Sequence, residues 1–219
     1  MIYFISDTHF QHFRVIAYCN RPFGSLREMN ETLIKNWQSI VKPEDTVYFL
    51  GDFGFMGVKK GKEILSQLPG KIIALRGNHD ESIGRMLRMG FAEVHEGSIV
   101  IELDGLKIRL CHYPYATWRA LWRDYKKIIK YFVKAKIAKW RKHKKEWLLH
   151  EGSLRDRIRL LGRFPKRTDE DWLYQGHVHN AWGQINRRAR MINVSCDVWD
   201  FIPVSQETLL NRIRKFNNF

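Results

Sequence analysis

Five short apolar runs, each breaking off into an aspartate, asparagine or histidine, constrain this chain more than any other feature of its 219 residues. Ile2–Ile5 runs into Ser6-Asp7-Thr8-His9, residues 46–50 into Gly51-Asp52, and residues 72–75 into Arg76-Gly77-Asn78-His79-Asp80. Leu106–Cys111 runs into His112, and residues 171–175 into Gly176-His177-Val178-His179. Runs of this length, rich in β-branched and aromatic residues, read as strands. Gly77 lets the chain turn sharply off its strand tip. Polar residues collected where strands end and loops begin mark the place where an α/β scaffold builds a site.

The rest of the chain supplies a frame for those strands. Phe13–Tyr18 predicts one or two helical turns before the turn signal Asn20-Arg21-Pro22. Ser25-Leu26-Arg27-Glu28 is a capping box, opening a helix with Met29, Leu33, Ile34, Trp37 and Ile40 on one face and an end near Pro43. Further helices are expected over residues 59–68, closed by Pro69-Gly70, over 81–89, stopped by Gly90, and over 206–214, capped by Ser205. Ser98–Leu103 and Leu106–Cys111 flank Asp104-Gly105, a type I′ hairpin signal. Short strands are expected near 182–186 and 191–195. Helices alternate with strands early and hairpins dominate late, which predicts layered α/β with mixed sheets in one domain, 1–219.

The charge is not spread evenly. Of a net +15, residues 119–167 carry 18 basic and 4 acidic side chains, a local net of +14. Leu121, Tyr125, Ile128, Phe132 and Trp140 form an apolar helical stripe there, with lysines opposite and Gly152-Ser153 starting a shorter basic helix. A basic helical insertion facing a polyanion is expected. Trp122, Trp140 and Trp147 suit base stacking and also an anionic membrane surface.

No run of about 18 apolar residues exists, so no transmembrane span is expected. The start lacks a basic n-region, so no signal peptide is expected either. Three dispersed cysteines, Cys19, Cys111 and Cys196, without a CxxC pair, read as buried thiols in a reducing cytoplasm.

The residue types at the strand tips define the chemistry. Hydrolysing a phosphate ester requires a water of lowered pKa and neutralised phosphoryl oxygens. Two cations about 4 Å apart, with a bridging hydroxide as nucleophile, do both. Imidazoles mixed with oxygen ligands suit manganese, iron or zinc better than calcium or magnesium. His177 and His179, at spacing two, point to the same side of an extended segment. Singly, each of these residues has an ordinary turn or core explanation. Together and in order they specify a metal site.

The order DxH, GD, GNHD, a lone His and GHxH resembles the calcineurin-like metallophosphoesterases, from end to end apart from the basic segment. The resemblance implies a β-sandwich flanked by helices in αββα layers. It implies that Asp7, His9 and His179 hold one metal, that Asn78, His112 and His177 hold a second, and that Asp52 bridges them. His79 would be the general acid for the leaving oxygen, or a donor to the phosphate. Two divalent transition metals follow, manganese first, with iron or zinc as alternatives. One departure stands out. Many relatives extend the second block to GDxxD, whose last aspartate orients the catalytic histidine; here Phe55 occupies that place, leaving Asp80 as the expected orienter of His79. Asn20-Arg21-Pro22-Phe23, His112-Tyr113-Pro114 and Asp197-Val198-Trp199 resemble a compact microbial and phage branch.

The reading is a dinuclear phosphoesterase acting on a phosphate mono- or diester of an anionic substrate, nucleic acid or nucleotide first. Arg21, with His12, is a candidate phosphate contact, and Lys136, Lys139, Arg141 and Lys142 are candidate contacts in the insertion. The alternatives are a membrane-associated lipid or nucleotide-sugar pyrophosphatase, peripheral to the bilayer, and a non-catalytic nucleic-acid-binding protein on the same scaffold.

Overall fold

In the computed structural model the described residues are 1–115 and 172–217, with Lys130, 132–134, 136, 137 and Pro165 between them. The chain divides into a main unit, Met1–Pro114 with Thr168–Phe219, and a second unit, Tyr115–Arg167.

The main unit runs β1 (Ile2–Ile5), α1 (Phe13–Tyr18), α2 (Leu26–Ile40), β2 (Thr46–Phe49), α3 (Val58–Leu65), β3 (Lys71–Leu75), α4 (Ile83–Met89), β4 (Glu93–His95), β5 (Ser98–Leu103), β6 (Leu106–Cys111), β7 (Trp172–Gln175), β8 (Ile185–Asn186), β9 (Met191–Asn193), a 3₁₀ turn (Cys196–Val198), β10 (Val204–Ser205) and α5 (Gln206–Asn217). Two five-stranded sheets result, ordered β10-β1-β2-β3-β4 and β5-β6-β7-β9-β8. In the first, β1 to β4 are parallel and β10 is antiparallel. In the second, β6, β7 and β9 are parallel and β5 and β8 are antiparallel edges.

Strand periodicity explains why the first sheet has an apolar layer on each side. Tyr3, Ile5, Val47, Phe49, Ile72 and Ala74 join the core that includes Met29, Leu33 and Trp37 of α2. The alternate residues Phe4, Leu50 and Leu75 join Ile108, Leu110, Trp172, Tyr174 and Ile192 of the second sheet, with Leu209 and Ile213 of α5. The sheets thus share one core and helices line the other, the expected sandwich flanked by helices.

Local signals act as the residues predict. Ser25 Oγ accepts from the Glu28 N–H at 3.1 Å, and Glu28 reaches back to the Gly24 N–H at 2.8 Å. Asp104 and Gly105 both have positive φ, 52° and 75°, as a type I′ turn requires. Gly90 ends α4 at φ 117°, and Ser205 Oγ caps α5 through the Thr208 N–H at 3.2 Å. Among the differences, α3 ends at Leu65, the strand expected over 182–186 is only Ile185–Asn186, and β4 and β10 were not expected. Those two are short edges whose pairing, not their composition, makes them strands.

In the second unit the described residues 130, 132–134, 136 and 137 are helical and exposed, and Lys136 Nζ lies 4.9 Å from the Phe132 ring centroid. Lys139, Arg141 and Lys142, with most of 119–167, fall outside the described residues.

Candidate metal centre

Parallel pairing brings the carboxyl ends of β1, β2 and β3 to one edge of their sheet, and those of β6 and β7 to one edge of theirs. Loops leaving these ends are knitted through the backbone. The Asp7 N–H donates to Gly51 O at 2.9 Å, His9 N–H to Asp52 O at 3.1 Å and Gly176 N–H to His112 O at 3.1 Å. A bridge between Ser6 and Ser195 links the loops of the two sheets. The tips are sharply bent: Asp7, His9, Asp52, His177 and His179 all have left-handed φ, between 48° and 68°. Each such residue costs about 1–3 kcal/mol unless its surroundings hold it. Glycine makes room beside them, since a Cβ at Gly51 would lie 2.6 Å from His112 Nδ1 and one at Gly77 would run into the Asp52 carboxylate.

Three imidazoles share one arrangement. His9 turns Nδ1 to His12 Nδ1 at 3.3 Å, His112 turns Nδ1 to Leu50 O at 2.7 Å, and His179 turns Nδ1 to Asp197 Oδ2 at 2.7 Å. Their Nε2 atoms face carboxylates. His9 Nε2 is 3.6 Å and His112 Nε2 3.5 Å from the same Asp52 oxygen, Oδ2, and His179 Nε2 is 3.9 Å from Asp7 Oδ1. His177 is turned the other way, with Nδ1 3.0 Å from Asn78 Oδ1, an oxygen that is also 3.2 Å from His112 Nε2. Asp52 Oδ1 accepts from the His79 N–H at 2.9 Å, while Asp7 accepts from Ser6 Oγ at 2.6 Å and the His177 N–H at 3.0 Å. Donor atoms of Asp7, His9 and His179 lie within 4.8 Å of one another, as do those of Asp7, Asp52 and His112.

Electrostatics follow from burial. Asp7 is fully buried, which pushes its carboxyl up against the pull of His179 and His112. Burial drives His9 down to about 2 and His177 to about 3, so both imidazoles are neutral at pH 7. Burial alone would raise Asp52 and lower His179. The imidazoles of His112, His9 and His79 outweigh it and hold Asp52 below its ordinary value. Hydrogen bonds to Asp197 and Cys19 outweigh it for His179, which is pushed up to about 11.

The site fits divalent cations. His9 Nε2 is buried without a hydrogen-bond partner, facing a buried carboxylate oxygen too far away for a hydrogen bond. Carboxylate, amide and imidazole donors together are a set for transition metals. A third grouping, Cys19 with His179 and Asp197, has another explanation, since Arg21 engages both Asp197 oxygens.

Two sequence expectations, for Asp80 and Arg21, need correction. Asp80 does not turn to the His79 ring: its oxygens accept from the backbone N–H groups of Asp52, Gly77 and Phe53, each at 2.8 Å, bracing the two loops. His79 is exposed and its ring packs against Phe55, centroids 4.9 Å apart, and against His9 at 5.6 Å. Arg21 is 5% exposed and turned inward, not toward a substrate phosphate. Its donors go to Asp197 Oδ1 and Oδ2 at 2.8 and 2.9 Å, Asp7 O at 2.6 Å and Thr8 O at 2.9 Å. His12, the other candidate phosphate contact, braces His9 through Nδ1. The residue that sequence reasoning left without a role is Asp197; its signal was an acid inside the apolar stretch Cys196-Asp197-Val198-Trp199.

Residues 1–196 match the family described as the calcineurin-like phosphoesterase superfamily domain. The chain belongs to this superfamily. It is 32% identical over 220 residues to an uncharacterized protein of Methanocaldococcus jannaschii, covering 98% of this chain and 92% of that protein. The gene 66 protein of Mycobacterium phage L5 is 37% identical over 82 residues, 36% of this chain and 39% of that protein. Among solved structures, a protein of unknown function from Aquifex aeolicus is similar at TM-score 0.62 and 28% identity, over 96% of this chain and 98% of that one. The superfamily is one of metal-dependent phosphoesterases, and the strand tips of this chain group side chains that could hold a metal ion. Among the described residues no helix is long and apolar enough to cross a membrane.

Proposed function

We propose that this calcineurin-like protein is a dinuclear phosphoesterase in which Asp7, His9 and His179 hold one cation and Asn78, His112 and His177 a second, with Asp52 between them. The observation that carries the reading is Asp52 Oδ2, one carboxylate oxygen facing His9 Nε2 at 3.6 Å and His112 Nε2 at 3.5 Å. The cations, manganese first, would acidify the attacking water and neutralise phosphoryl charge. The chain's own residues supply the rest. His79, exposed beside these side chains, gives a proton to the leaving oxygen. Asp52 accepts from the His79 backbone and Phe55 packs on its ring, which together fix where that proton is delivered.

The substrate is a polyanion, nucleic acid or nucleotide. The net +14 of residues 119–167, continuous in sequence with the strands that carry His112 and His177, supports capture by charge. Phe55, 44% exposed beside His79, supports a planar group next to the ester.

Hydrolysis of bis-p-nitrophenyl phosphate should appear with added manganese and vanish with EDTA. Asp52→Asn should lose metal and activity together; a fully active variant sinks the bridging role. Replacing Lys136, Lys139, Arg141 and Lys142 by glutamine should weaken salt-sensitive binding of single-stranded nucleic acid and leave the small ester untouched. If liposome binding disappears instead, the membrane reading replaces the nucleic-acid one.

A further inference from the structure

Arg21 and Asp197 lie 176 positions apart, in the loop after α1 and in the 3₁₀ turn after β9, yet they meet as a bidentate pair inside the main unit. Their side chains are 0% and 2% exposed. A buried pair of this kind is weak evidence for stability, because desolvating two charges offsets most of their attraction. What it touches is more informative. Asp197 Oδ2 accepts from His179 Nδ1 at 2.7 Å and from Ser195 Oγ at 3.1 Å, in addition to Arg21. Arg21 Nη2 and Nη1 donate to the carbonyls of Asp7 and Thr8, at the tip where Asp7 has φ 58°. One guanidinium therefore holds the backbone of one candidate ligand directly and the ring of another through Asp197.

We propose that Arg21 and Asp197 are positioning residues of the first metal position, a clamp that sets the His179 tautomer and the Asp7 backbone at once. The inference rests on the dinuclear reading of the site. Asp197 accepts the Nδ1–H, so Nε2, which faces Asp7 Oδ1 at 3.9 Å, is the nitrogen left to exchange its proton for a cation, with the ring stacked on His9 at 5.0 Å between centroids. A carboxylate on the far nitrogen of a metal-bound histidine fixes its orientation and raises its basicity, and losing it typically costs about 10–100-fold in metal affinity. His112, at the second position, uses a backbone carbonyl for the same purpose. The loss should therefore fall on one cation and not the other.

The test is manganese titration of metal-stripped protein, with bound metal counted by elemental analysis. Wild type should take up two manganese ions per chain. Asp197→Asn should keep one at wild-type affinity and bind the other about 10–100-fold more weakly, with Arg21→Lys intermediate because it keeps the charge and loses the fork. Should these variants fail to fold, the zinc-loaded wild type still decides: nitrogen NMR must find His179 protonated at Nδ1, and metal on Nδ1 overturns the clamp. Two ions bound by Asp197→Asn with unchanged affinities overturn it as well. A wild type that takes up no metal overturns the dinuclear reading and the clamp together, so the two failures are distinguishable.

Discussion

His112 and His179 both turn Nε2 toward a buried carboxylate and are both held through Nδ1, but the holders differ in kind. His112 is held by Leu50 O, the last residue of the apolar run that β2 begins. That brace is a backbone carbonyl, so truncating the Leu50 side chain does not remove it. His179 is held by Asp197, itself held by Arg21, so its brace depends on two side chains and on the charge of each. The backbone brace comes with the fold. The side-chain brace can be lost one residue at a time, and it is the one that can be adjusted without disturbing the sheet.

The largest way to break this contrast is Arg21→Ala. It leaves the buried Asp197 carboxylate without its guanidinium, held only through Oδ2 by His179 and Ser195, a change that costs up to about 3–5 kcal/mol. Urea unfolding of the metal-free protein should read that loss. The mirror experiment is Gly51→Ala, which forces a Cβ at φ 91° to within 2.6 Å of His112 Nδ1. Strain of about 1–3 kcal/mol is expected, and in manganese titration the position around His112 should weaken while that around His179 holds. If both positions weaken equally, the two braces are not independent. Phe55→Ala probes a third way of holding a histidine, by ring packing alone. Removing a contact of about 0.5–1.5 kcal/mol should lower kcat for a p-nitrophenyl ester by roughly two- to tenfold, with metal content unchanged. Ser25→Ala, at the start of α2, is the smallest and serves as a control. It should cost about 1 kcal/mol in thermal unfolding and leave both metal affinities alone.

The strand tips were legible because each candidate ligand group follows on an apolar run, so sequence order and spatial grouping coincide. The hairpin at Asp104-Gly105, the cap at Ser25 and the stop at Gly90 were legible for the same reason: each is settled within a few residues. What holds the ligands was not. The partners of Arg21 lie at Asp7, Thr8 and Asp197, and Asp80 reaches back 28 positions to the Asp52 N–H. Nothing in the spacing of these residues announces such pairings. Arginine before a proline looks like a turn residue, and an aspartate after a histidine looks like its orienter. Both impressions fail because the backbone N–H and C=O groups of sharply bent loops need partners, and Asp80 and Arg21 supply them. Phe55 is the converse case, where a carboxylate expected by resemblance is replaced by an aromatic ring.

The left-handed backbone at Asp7, His9, Asp52, His177 and His179 has a consequence for how such a sequence changes over time. Glycine adopts that conformation with no steric penalty, so at each of these positions the residue best suited to the bend cannot bind a metal. A copy of this chain released from the demand for chemistry would shed that backbone strain wherever glycine took one of these positions, against the loss of the side chain's own hydrogen bonds. Loss of function in this lineage should therefore be written first as glycines at the strand tips, before the sandwich core between the sheets begins to change.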